Sequence, residues 1–112
     1  MTSSALITEP ARAARVRVTD AALVVDLHDG RQVSVPLEWY PRLAAGHPAE
    51  RRRWERIGPG VGIHWPDLDE DISVEALLLG QRSNESLTSL QEWQTFRRRR
   101  TAKRARSSRA RS

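Results

Sequence analysis

The chain has 112 residues, with 19 Lys or Arg, 14 Asp or Glu and no cysteine. One domain is the expected organisation, and disulfide frameworks, thiolate metal sites and cysteine nucleophiles are excluded. The formal charge of +5 is unevenly held: residues 97–112 carry nine basic side chains and no acid, which leaves residues 1–96 at −4. The charge therefore describes a mildly acidic body with a basic appendage, and it is no evidence for a basic nucleic-acid-binding fold.

In chain order, residues 1–14 are small, polar and aperiodic and read as a flexible arm. They lack the charged start and apolar run of a signal peptide, and no later stretch approaches the ~18 apolar residues of a membrane span. The absence of cysteine is compatible with a reducing cytoplasm, the location expected here, and the dominance of Arg among the basic residues (18 of 19) points to a GC-rich bacterial genome. Arg15–Val18 alternates as a short strand, with a turn at Thr19–Asp20.

Residues 22–37 read as a hairpin around Asp29–Gly30. A two-residue loop would set Val25 against Ser34. A three-residue loop of His28, Asp29 and Gly30 sets Val25 against Val33 and Leu23 against Val35, which makes one face apolar on both strands. The three-residue loop is expected, with Gly30 in the left-handed position.

Beyond Pro36, a helical turn is expected at 41–45, ended by Gly46, and a helix over 48–57 that starts on Pro48 and stops at Gly58. A short strand at 61–65 and an acidic loop at Asp67–Asp71 follow. Ser73 then caps a short helix ended by Gly80. A last helix begins near Asn84–Ser86, with Leu87, Leu90, Trp93 and Phe96 on its apolar side, and runs into the basic tail. The expected fold is α+β: a small antiparallel hairpin or sheet packed with short helices. The domain spans 15–96, and residues 97–112 form a disordered basic tail.

The stretch 22–80 resembles the bacterial domain of unknown function family 2442 (DUF2442). The residues that carry the likeness are LVVDLHDGRQVSVPL, then PRL at 41–43, a helix ending in Trp54 and Gly58, and GVGIHWPDLDEDISVEALLLG at 60–80. The resemblance implies a small α+β domain, found alone or fused to a helix-turn-helix segment, and genes beside another small family in toxin–antitoxin-like pairs. It implies no reaction and brings no catalytic residues. No helix-turn-helix pattern follows residue 80.

Four clusters invite chemistry. Asp67, Asp69 and Asp71 fall at positions 1, 3 and 5 of a calcium loop, but Ile72 stands where that loop needs Gly and Leu78 where it needs Glu. A site built from His64, Asp67, Asp69 and Asp71 is the metal reading; carboxylates that serve a helix start or a solvated turn are the structural one. GPGVG at 58–62 is expected to follow a helix rather than a strand and lacks GK[ST], so it reads as turns. Four of the six aromatic residues are Trp; most belong to the core, and Trp39 and Trp93 are the interface candidates. Arg51, Arg52, Arg53 and Arg56 read as a solvated face, with an anion-binding face as the alternative.

The tail residues Arg97, Arg98, Arg99, Arg100, Lys103, Arg104 and Arg106 are the candidates for contact with nucleic-acid phosphates. Such contact would be salt-dependent and without sequence preference. An unconstrained extension has the same composition.

Two functional expectations stand. The first is a non-enzymatic regulatory or adaptor protein, antitoxin-like, that takes no cofactor. It binds a small protein partner, encoded by a neighbouring gene, and touches nucleic acid through its tail. The second is a metal-binding domain or small metal-dependent enzyme centred on residues 64–71.

Overall fold

The computed structural model describes residues 9–110, with side chains described through Arg100. Strands β1 (Ala13–Val18), β2 (Ala22–Leu27) and β3 (Gln32–Pro36) form one antiparallel meander, and β4 (Glu55–Ile57), β5 (Gly62–Trp65) and β6 (Glu70–Ser73) form a second. A 3-10 turn at Leu37–Trp39 leads to two five-residue helices, α1 (Pro41–Ala45) and α2 (Pro48–Arg52). Helix α3 (Val74–Leu78) follows β6, and α4 (Leu87–Ala110) comes last. The class is α+β, as the sequence pattern requires.

The first hairpin has the three-residue loop. Leu23 faces Val35 and Val25 faces Val33. The Leu27 N–H donates to the Arg31 carbonyl at 2.8 Å, and Gly30 takes φ +95°. Side-chain alternation decides this register, because a one-residue slip would send one strand's valines to solvent. β1 starts at Ala13, inside the expected arm, with a bulge between Ala13 and Arg15.

Alternation also builds the core. Val16, Leu23, Val25, Leu27 and Val35 of the first sheet are buried, together with Ile63, Trp65 and Ile72 of the second. The sheets are tied where Ala13 donates its N–H to the Gly60 carbonyl at 2.8 Å. A Cβ on Gly60 would sit 3.1 Å from the Ala13 carbonyl oxygen, and its φ is +107°, so that junction requires glycine. Arg56 of β4 reinforces the tie through Nε to the Ala13 carbonyl (3.2 Å) and Nη2 to that of Ala14 (2.6 Å).

Two expectations are corrected. The helix over 48–57 ends at Arg52, and Glu55, Arg56 and Ile57 pair instead with His64, Ile63 and Gly62. Trp54 and Ile57 offer too narrow an apolar stripe to hold a third helical turn, whereas a strand satisfies the same backbone against β5. The acidic loop is shorter than Asp67–Asp71, because Glu70 and Asp71 belong to β6. Ile72 is the reason: it lies opposite Ile63 and is buried only if this segment is extended.

Two helix starts match their signals. Ser73 Oγ accepts the Ala76 N–H (3.3 Å) at the start of α3. Ser86 Oγ accepts the Ser89 N–H (3.0 Å) at the start of α4. Helix α4 continues through residues 97–110, the segment expected as tail, where Ala, Arg and Lys favour helix and no Gly or Pro interrupts.

Only part of the α4 apolar series is docked. A spacing of three turns about 60° back per step on an α-helix, so Leu87 and Phe96 lie about 180° apart. Leu90 and Trp93, between them, meet the core, while Leu87 and Phe96 are 70% and 60% exposed.

Candidate functional site

The most elaborate side-chain cluster in the fold is the one that docks α4. Trp93 is only 9% exposed and has two guanidinium groups over its ring, Arg42 of α1 at 5.1 Å and Arg97 at 4.6 Å from the ring centroid. Each arginine is held from behind by a carboxylate. Arg42 Nε bonds Glu85 Oε1, and Arg42 Nη1 reaches the Asp69 carbonyl at 2.9 Å. Arg97 Nη2 bonds both oxygens of Glu50 at 2.6 and 2.5 Å. Glu50 Oε1 also accepts the His47 N–H (2.9 Å) at the start of α2, and Glu85 accepts from Ser89 Oγ. A partly desolvated cation over an indole contributes ~1–2 kcal/mol.

The ionisation of these groups follows from the geometry. The Arg42 hydrogen bond holds the Glu85 carboxyl below its usual range, and burial offsets only part of that. Burial pushes Glu50 up, but the His47 N–H and Arg97 outweigh it and hold it low.

Glu70 behaves the other way. It lies opposite Trp65 in the β5–β6 ladder, one period before Ile72, so its side chain faces inward. Its Oε2 is buried, with no hydrogen-bond partner among the described residues. Burial raises its pKa to about 7, against a lowering by Arg42. Tyr40 is also pushed up, by burial and by the nearby Glu70 charge, while its hydroxyl donates to the Gln81 carbonyl at 2.8 Å.

The proposed metal ligands point to different partners. Asp67 pairs with Arg53 at 3.1 Å and Asp69 with Arg42 at 3.4 Å; His64 Nδ1 contacts Asp71 Oδ1 across the outer face of β5–β6. The structure thus brings together His64 and Asp71 and leaves Asp67 and Asp69 apart from them. Among the described residues no group of three or more His, Asp or Glu is placed to hold a metal ion.

The arginines of 51–56 are mostly absorbed by the fold. Arg51 donates Nε to the Leu43 carbonyl and Nη2 to that of Ala44, each at 2.8 Å, and its own carbonyl accepts from the buried Trp65 indole at 3.1 Å. Of the interface candidates, Trp93 is covered within the chain, and half-buried Trp39 lies under Arg82 at 4.7 Å.

The basic end of α4 differs. Arg97 belongs to the dock, whereas Arg98, Arg99 and Arg100 are exposed. The side chains of Lys103, Arg104 and Arg106 lie outside the described ones. Successive helical residues are turned about 100° from one another, so Arg98 to Arg100 spread positive charge round the helix and form no single reading edge.

Of the residues that organise this cluster, Arg42 and Glu85 are given no role by sequence reasoning, Glu50 reads only as offsetting the arginines of 51–56, and Glu70 only as part of the acidic block. Only Glu70 left a local signal: if Ile72 faces inward on a strand, so does Glu70.

A family model described as "Protein of unknown function (DUF2442)" matches residues 13–83. Among solved structures, the chain is similar to a protein of unknown function from Rhodospirillum rubrum. They share 28% identity over 70% of this chain and 98% of that one, with a TM-score of 0.60. It also shares its fold with an uncharacterised protein from Chromobacterium violaceum, at 23% identity over 72% of this chain and 74% of that one (TM-score 0.56). No curated protein matches it.

Proposed function

The chain belongs to the DUF2442 family, whose function is unknown, and we propose that it is a non-enzymatic, cytoplasmic, antitoxin-like adaptor. Its acidic body engages a small protein partner, and the basic end of α4 binds nucleic-acid phosphates without sequence preference.

One observation carries this reading: the charge is segregated, and the positive part stands on a helix fixed to the domain by Trp93. Arg97 is committed to that dock, so affinity for phosphate starts at Arg98. Each phosphate contact releases counterions, which makes the binding steeply salt-dependent. Base reading needs donors held rigidly at a groove edge, and exposed arginines spread round a helix do not supply that. Among the described residues, no helix is long and apolar enough to cross a membrane.

The test is fluorescence anisotropy of the full chain on two unrelated duplexes at low salt, beside the triple variant Arg98→Ala, Arg99→Ala, Arg100→Ala. The parent should bind both duplexes alike, and the variant about 30-fold more weakly. Equal binding by parent and variant, or a strong preference for one duplex, contradicts the proposal.

A further inference from the structure

On the side of the molecule formed by β4, the β4–β5 turn, β6 and α3 lies an open groove of about 850 Å³. This volume is within the ~300–1,000 Å³ of typical binding pockets. Ile57, Val61 and Leu78 line it, and Ile57 and Leu78 remain 40% and 41% exposed there. Large aliphatic side chains that line a concavity and stay half in water mark a surface that gains by being covered.

Its charged residues are Glu9, Asp71 and Glu75, against a single cation, Arg31. Arg31 is already answered by Asp29, with Nε to Oδ2 at 2.7 Å. Neither Glu9 nor Glu75 is engaged in an ion pair among the described residues. The groove thus offers aliphatic contact beneath negative charge. β6, which borders it, is an edge strand of its sheet, and such an edge can take main-chain bonds from an added segment.

We infer that this groove is where the body takes its protein partner. Its occupant is a segment of another protein that carries Lys or Arg beside aliphatic side chains. The inference rests on the adaptor reading and deepens it by naming the partner's chemistry. Charge complementarity selects a basic segment, and the aliphatic lining together with the edge strand selects a peptide over a small polycation.

The experiment titrates the full chain, followed by its amide NMR shifts, with an acetylated hexapeptide of alternating lysine and leucine. The same peptide with glutamate for lysine, and spermidine, serve as separate arms. The lysine peptide should move Ile57, Val61 and Leu78, while the other two arms leave them in place. Glu75→Gln, which removes charge from an exposed position, should weaken binding about fivefold, and Leu78→Ala about tenfold.

Three outcomes overturn the inference. Equal binding of the glutamate peptide or of spermidine removes the stated chemistry. Binding that appears only after deletion of residues 1–8 assigns the groove to the chain's own N-terminal segment. Concentration-dependent self-association that Glu75→Gln abolishes assigns it to a second copy. DNA anisotropy on the same samples keeps the two readings apart: a groove that fails while DNA binding persists leaves the role of α4 standing, and the reverse result leaves the groove.

Discussion

Arginines 51, 53 and 56 and arginines 98, 99 and 100 sit in runs that look alike on paper, yet the fold treats them differently. Arg51 and Arg56 spend their donors on main-chain carbonyls, and Arg53 faces Asp67. Arg98 to Arg100 are exposed on a helix with no acid among the remaining residues of the chain. A guanidinium with a carbonyl or carboxylate within reach becomes a structural crosslink. Arginines without one carry charge outward: Arg98, Arg99 and Arg100 as a run, and Arg12, Arg15 and Arg52 singly in the body, which are exposed with no such partner among the described residues. Along α4 the change falls at Arg97, whose guanidinium closes the dock against Glu50 and Trp93.

The largest effect tests that boundary. Trp93→Ala removes the group that both arginines cover and should cost about 3–4 kcal/mol, the range for a buried aromatic. Denaturant unfolding measures it; a loss below about 1 kcal/mol would mean that α4 is not held by this residue.

Arg51→Ala comes next. It removes the side-chain donor from two carbonyls, of which Leu43 keeps the Gly46 N–H, and should cost about 1–2 kcal/mol. DNA affinity should be unchanged, as anisotropy will report. The comparison fails if the variant keeps its stability and loses affinity.

Glu70→Gln should stabilise the chain, and the sign depends on pH. The folded pKa is about 7 and the ordinary value 4.5. Below about pH 4.5 both states hold the proton and the burial carries no ionic cost. As pH rises from 4.5 to 7, the unfolded chain ionises first, so the parent loses stability; above 7 the whole cost remains. Chemical unfolding at pH 5 and pH 8 should show little difference at the former. At pH 8 the variant should gain about 1–2 kcal/mol, discounted because solvent reaches part of the side chain. Glu50 and Glu85 act in the opposite sense. Their depressed pKa values stabilise above the ordinary carboxyl range and lose that contribution as pH falls, in parent and variant alike.

The smallest effect belongs to Asp71→Asn. The His64–Asp71 contact lies on an open sheet face, with Asp71 67% exposed. Thermal unfolding should move by less than about 0.5 kcal/mol. Calorimetry of the parent with Mg²⁺ or Zn²⁺ should give no binding heat that Asp71→Asn removes.

What the residues reveal in advance divides by distance along the chain. The hairpin register is legible because Leu23, Val25, Val33 and Val35 lie within one local pattern, and the cap at Ser73 is legible for the same reason. The fate of residues 53–57 is not, because their strand partners come from β5 and no local pattern records that pairing. Glu50 and Arg97 lie 47 positions apart, and nothing near either announces the other. Trp93 read as an interface candidate because it sits on a drifting apolar series. The fold covers it with two arginines whose carboxylate supports come from α2 and from the segment before α4.

The claim that phosphate binding by α4 begins at Arg98 is tested most directly by the salt dependence of DNA binding. The slope of log K against log salt should be shallower by about 2–3 in the Arg98→Ala, Arg99→Ala, Arg100→Ala variant, since each lost phosphate contact removes ~0.9. It should be unchanged in Arg51→Ala. Equal slopes for parent and triple variant, or a shallower slope in Arg51→Ala, would contradict the account.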